Sequence, residues 1–163
     1  MPRKLVAIVE DQTDVQNNYV DALRRDGYRS RGYNSGEKAL EAFQNKLPDL
    51  VIIDINLGEG MDGLDLCSEL RSRSETLPIM ILTAKEGEIN QAAGLTRGAD
   101  DYVTKSTSLD LIMIRIRVLL RRTEALKNPR ADEERMLNEG SLKLDLVRIE
   151  TEWKGAPVEL NLT

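Results

Sequence analysis

The sequence predicts an α/β fold: a doubly wound, five-stranded parallel sheet with a short C-terminal antiparallel β-meander. Three observations carry this reading. Leu5–Val9, Leu50–Ile53 and Ile79–Leu82 are uninterrupted apolar runs, with the length expected of strands buried on both faces. These runs alternate with helical stretches of about 10–15 residues, the rhythm of right-handed βαβ units. Each run also ends in a residue type that can bind a cation or a phosphoryl group: Glu10-Asp11, then Asp54, then Thr83. A fourth run, Asp101–Thr104, is followed by Lys105.

The elements follow in order. Thr13 is placed to cap a helix carrying Val15, Tyr19, Ala22 and Leu23, which Asp26-Gly27 stops. Tyr28–Tyr33 is short and polar, as an edge strand would be. Ser35 precedes a helix through Phe43 that must end before Pro48. After the run into Asp54, the Gly58-Glu59-Gly60 loop leads to a helix near 62–72, and Pro78 opens the run into Thr83. A helical stretch over 86–96 ends at Gly98. Ser108 then caps a long last helix. Of the two common strand orders, 2-1-3-4-5 sets the first and third strands side by side, and acids at the ends of those two strands favour it.

Composition narrows the function. The chain has 163 residues, a net charge of −5 and 40% hydrophobic residues, the profile of a globular, mildly acidic protein with a weak nucleic-acid footprint of its own. No run of about 18 apolar residues is available to span a bilayer. The N-terminus lacks a signal-peptide pattern, so a cytoplasmic location is expected. The single cysteine, Cys67, falls on an apolar helix face and reads as a buried thiol. With no histidine, zinc sites of the usual kinds and histidine-based triads are excluded.

In parallel sheets the working site lies outside the carboxyl ends of the strands. There Glu10, Asp11 and Asp54 would meet Thr83 and Lys105. Two carboxylates about 4 Å apart repel by roughly 1 kcal/mol in water and about 4 at an effective dielectric of 20. A hard divalent cation such as Mg2+ relieves that repulsion and seats phosphate oxygens, so the set suits phosphoryl transfer to an aspartate. Small Ala84 leaves room for a bulky anion.

Glu10-Asp11, Asp54, Thr83-Ala84, Tyr102 and Lys105 closely resemble the receiver domain of two-component response regulators, over about residues 4–122. The segment Gly98-Ala99-Asp100-Asp101-Tyr102-Val103-Thr104-Lys105 is similar to the OmpR/PhoB subfamily. The resemblance implies the 2-1-3-4-5 order and Asp54 as phosphoacceptor. It also implies Mg2+ on Asp11, Asp54 and the backbone carbonyl of Asn56, with Glu10 acting on the metal through water. Thr83 and Lys105 would hold phosphoryl oxygens, and Tyr102 would be the aromatic switch. The donor would be a sensor histidine kinase, and the domain a switch rather than a turnover enzyme. Two departures stand out. Ser106 replaces the family's usual proline after Lys105, so a trans bond and a shifted Lys105 are expected. The loop after Asp54 is one residue longer and glycine-rich, so greater mobility is expected.

The last helix has two apolar stripes. Ile112, Ile116 and Leu119 face the sheet, while Leu111, Ile114 and Val118 form the second stripe. The resemblance implies a homodimer through the face of the fourth helix (86–96), the fifth strand and the last helix, with Arg115, Arg117, Asp100 and Asp101 adding ion pairs at the rim. Three segments are expected: a receiver over 1–122, a linker or helical extension over 123–138, and the first strands of a truncated winged-helix domain over 139–163. DNA would be read only through the effector region missing from this chain. The alternative is an atypical receiver that works by association without phosphate. A phosphatase of the haloacid-dehalogenase type fits less well, because Asp54-Ile55-Asn56 lacks that class's Asp-x-Asp.

Overall fold

The computed structural model describes residues 3–84, 87, 98–128, 136–139, 142–145, 150–153 and 156–158. The chain divides into two compact units, Met1–Arg117 and Val118–Thr163. In the first, five strands form one parallel sheet: β1 (Leu5–Val9), β2 (Arg29–Tyr33), β3 (Leu50–Asp54), β4 (Ile79–Thr83) and β5 (Asp101–Thr104). Their order is β2-β1-β3-β4-β5, so β1 and β3 are neighbours at the switch point. Val9 lies opposite Ile53, and Thr83 lies opposite Thr104. This register brings Glu10, Asp54, Thr83 and Lys105 to one edge of the sheet.

The central strands are apolar because neither face meets water: β3 and β4 are buried along their whole length, as are Val6–Val9 of β1. Helix α1 (Thr13–Arg25) buries Tyr19, Val20, Ala22 and Leu23. Its cap differs from expectation. Thr13 is the first helical residue, and Gln12 holds the cap position without a side-chain hydrogen bond. Helix α2 (Gly36–Ala42) starts as expected, with the Ser35 hydroxyl accepting from the Lys38 amide at 3.3 Å. In α3 (Gly63–Arg73) the Asp62 carboxylate caps the amides of Leu64 and Asp65. The expected helix over 86–96 falls almost entirely outside the described residues.

The last helix, here α4, spans Leu109–Lys127 and so continues into the segment expected to be a linker or helical extension. It buries Ile112, Ile116 and Leu119, as the first stripe predicts. Of the second stripe, Leu111 is 43% and Ile114 is 51% exposed, and Val118 is half-buried. The second unit contains a four-stranded antiparallel sheet: β6 (Met136–Glu139), β7 (Leu142–Asp145), β8 (Glu150–Trp153) and β9 (Ala156–Val158). Strand β6 corrects the sequence reading, which assigned most of it to the linker. Alternation is too weak in Met-Leu-Asn-Glu to mark a strand until β7 pairs with it.

Candidate functional site

Glu10, Asp11 and Asp54 each offer a carboxylate oxygen, and these oxygens all lie within 4.8 Å of one another. Glu10 and Asp54 are buried and Asp11 is exposed. The backbone explains the placement. Strand β1 carries Glu10 one residue beyond Val9, where its amide donates to the Tyr33 carbonyl at 3.0 Å. Gln16 on α1 donates to the Glu10 carbonyl at 2.9 Å. Asp54 ends β3, and the loop over 55–62 then brings the chain back to the start of α3 beside it. Gly63 packs so closely there that a Cβ on it would run into the Asp54 carbonyl.

Lys105 reaches into this cluster from the end of β5. Its Nζ lies 2.8 Å from both Glu10 Oε2 and Asp54 Oδ2, and the Lys105 amide donates to the Thr83 carbonyl at 2.8 Å. Only the Asp54 contact has the alignment of a hydrogen bond. Glu10 Oε2 therefore has a charge beside it but no donor pointed at it among the described residues. Burial raises the Glu10 pKa and nearby Asp54 raises it further, more than Lys105 and the Gln12 amide lower it. Burial alone would depress Lys105, but its hydrogen bond to Asp54 and the negative charges of Asp54 and Glu10 prevail and its pKa is raised.

These residues fit a hard divalent cation. Three carboxylates with one exposed member, and a buried oxygen lacking a directed donor, match the demand of such ions for a few carboxylates plus water. Without an ion, Lys105 is the countercharge.

The response regulator receiver domain model matches residues 6–117. The chain belongs to the response regulator receiver family. Its relatives include the sensory transduction protein RegX3 of Mycolicibacterium smegmatis, 36% identical over 96% of this chain and 68% of that protein. The probable transcriptional regulatory protein TcrX of Mycobacterium tuberculosis is 37% identical over 97% of this chain and 66% of its own length. The chain thus spans about two thirds of these relatives. Among solved structures, the N-terminal domain of a response regulator/sensory box/GGDEF protein from Carboxydothermus hydrogenoformans is similar at a TM-score of 0.67 and 32% identity, covering 76% of this chain and 99% of that one. The response regulator TrrA of Thermotoga maritima, solved in complex with Mg2+-BeF, matches at a TM-score of 0.65 and 29% identity, with coverage of 71% and 98%.

This receiver therefore gathers five of the predicted residues at one rim: Glu10, Asp11, Asp54, Thr83 and Lys105. Asn56 follows two residues after Asp54, its amide 3.4 Å from Asp54 Oδ1. Thr83 is fully buried, and Tyr102 is half-buried against the apolar cluster that includes Val9, Ile53 and Ile81.

Two expectations need correction. The bond before Ser106 is trans, as predicted, yet Lys105 still reaches both acids. Hydroxyls stand in this turn, with Thr104 Oγ1 2.8 Å from Ser106 Oγ and 3.2 Å from Thr107 Oγ1. The long loop after Asp54 is tied down rather than free, because Glu37 of α2 accepts from the Met61 amide at 2.8 Å. Glu37 is held below the usual carboxylate range by that bond. The charged residues expected at a dimer rim also have partners within the chain. Arg115 bonds Asp101 at 2.9 Å, Arg117 lies 3.2 Å from Asp26, and Asp100 is taken by Arg71 at 3.0 Å and by the Ile79 amide at 2.8 Å. Glu37 was missed because only folding brings α2 beside the loop.

Proposed function

We propose that Asp54 accepts a phosphoryl group from a phosphohistidine of a sensor kinase, with Mg2+ held by Asp11, Asp54 and the Asn56 carbonyl and steadied by Glu10. The Lys105–Asp54 contact beside the carboxylate trio is the observation that carries this reading. Magnesium bound there would neutralise charge on the phosphoryl oxygens. An Asp54 oxygen attacks phosphorus as the bond to the donor nitrogen breaks, and the imidazole keeps the electron pair. Lys105 then moves from the carboxylate to the new phosphoryl oxygens. Thr83, one residue beyond the Asp54 level of the sheet, is placed to donate to them.

Phosphorylation adds about two negative charges next to Lys105 and Thr83. The reading continues with Tyr102 turning inward as Thr83 moves, which changes the face carrying Leu111 and Ile114. Those two exposed side chains support a homodimer through β5, α4 and the segment over 86–96. The relatives' names support transcriptional control by the whole protein, with DNA contacted outside the receiver unit.

The test is intact-mass measurement after exposure to acetyl phosphate and magnesium. Wild type gains one phosphoryl group, whereas Asp54→Asn or added chelator gives none. Equal gain in Asp54→Asn would place the acceptor elsewhere.

A further inference from the structure

At the opposite end of the sheet lies a second charged site that the phosphoryl chemistry does not use. A cavity of about 360 Å³ opens toward the amino ends of β1 and β2, lined by Arg3, Lys4, Arg29, Arg31 and Lys46. Its formation follows from element lengths. Seven-residue α2 is only about 10 Å long, while five-residue β2 extends about 16 Å. Where α2 ends, Phe43 packs edge-on against Tyr33, with ring centroids 5.3 Å apart. Arg29 and Arg31 share the face of β2 with Tyr33 but lie beyond the helix, so they line the cavity uncovered.

The charge balance is lopsided for a chain whose net charge is −5. Asp49 is the one acid in the lining, and its Oδ2 already accepts from the Leu5 amide at 2.7 Å. Arg3, Arg29, Arg31 and Lys46 have no ion pair or side-chain hydrogen bond among the described residues. Like charges ringing a concavity call for an anion, and guanidinium forks match phosphate oxygens in pairs. Tyr33, Phe43 and Leu47 supply an apolar wall. The volume is that of a small-molecule site, and the cations surround one open concavity rather than line a stripe that a polymer would follow.

We propose that this cavity binds a small planar ligand bearing at least two negative charges, of the chemical class of the mononucleotides. The phosphate meets Arg29, Arg31 and Lys46, and the flat body lies against Tyr33 and Leu47. The site is separate from the acidic rim and does not require Asp54 to be phosphorylated.

Isothermal titration of the full chain with 5′-AMP tests this, in low salt with EDTA so that no metal can bring phosphate to the carboxylates. The expected result is one saturable site. Arg31→Gln and Lys46→Gln, on separate segments and both exposed, each weaken it about tenfold or more, the loss of one charge-assisted bond. Adenosine and inorganic phosphate bind more weakly than 5′-AMP by a similar factor. Asp54→Asn leaves the affinity unchanged, and circular dichroism confirms that each variant folds. Absence of binding below about 1 mM overturns the assignment, as does equal affinity in both cavity variants. Phosphate binding as tightly as 5′-AMP also overturns it, since the site would then recognise a bare anion.

Discussion

At the carboxyl ends of β1, β3 and β5, charges sit inside the protein: Glu10 is fully buried, and Asp54 and Lys105 bond each other at 2.8 Å. At the amino ends, Arg29, Arg31 and Lys46 gather around an open cavity with water to screen them. Both are crowded with like charge, but only the first is desolvated. Burial multiplies the repulsion between Glu10 and Asp54 several-fold over its value in water, so that end must carry its own cation. The cationic end can stay unpaired at little expense because the dielectric is high there. A buried cluster is thus tied to folding, and an exposed one is left free for a ligand.

Removing one cation at each end separates the two cases. Lys105→Met leaves two buried carboxylates facing each other, and urea unfolding in EDTA should show a loss of about 2–4 kcal/mol, part of which magnesium restores. A loss below about 1 kcal/mol would mean that the acids are less desolvated than the structure has them.

A smaller effect follows from protonation. The raised pKa of Glu10 means that its contribution to the metal-free fold is present below the ordinary carboxylate value and is lost as pH rises through the raised one. Lys105, also raised, keeps its contribution until pH climbs through its own folded value, well into the alkaline range. A proton on Glu10 and a magnesium ion at the rim therefore compete, and the proton gains as pH falls. The rise in melting temperature on adding magnesium should be greater at pH 7 than at pH 5, and an equal rise would contradict this.

Glu37→Gln weakens the tie to the loop carrying Asn56. It should reduce magnesium affinity by less than about tenfold in a titration, with the fold intact. At the open end, Arg29→Gln should change unfolding free energy by no more than about 0.5 kcal/mol. A larger loss there would erase the contrast between the ends.

The acidic rim was legible because it depends on strand ends. A buried parallel strand announces itself as an apolar run, and the polar residue closing the run is the one that reaches the site. The acids closing the first and third strands favour one of the two common orders, and the receiver resemblance implies the same one, so Glu10, Asp11, Asp54, Thr83 and Lys105 could be placed together without coordinates. The cationic cavity was not legible: Arg3, Arg31 and Lys46 lie on three segments with no shared period, and only the shortness of α2 leaves them uncovered together. The same limit hid the Glu37 tie, a contact spanning 24 positions. Glycines in the loop suggested freedom, but a tertiary bond overrode that local tendency. Thr13 failed as a cap because Gln12 already has the extended backbone that a cap position needs.

The carboxylate trio is the centre of this account, and a magnesium titration followed by amide chemical shifts addresses it most directly. In wild type at pH 7, the amides around Asp11, Asp54 and Asn56 should shift together along one saturable curve, and Asp11→Asn should abolish it. Shifts scattered over other acidic surfaces, or an unchanged curve in Asp11→Asn, would contradict a single shared ion at this rim.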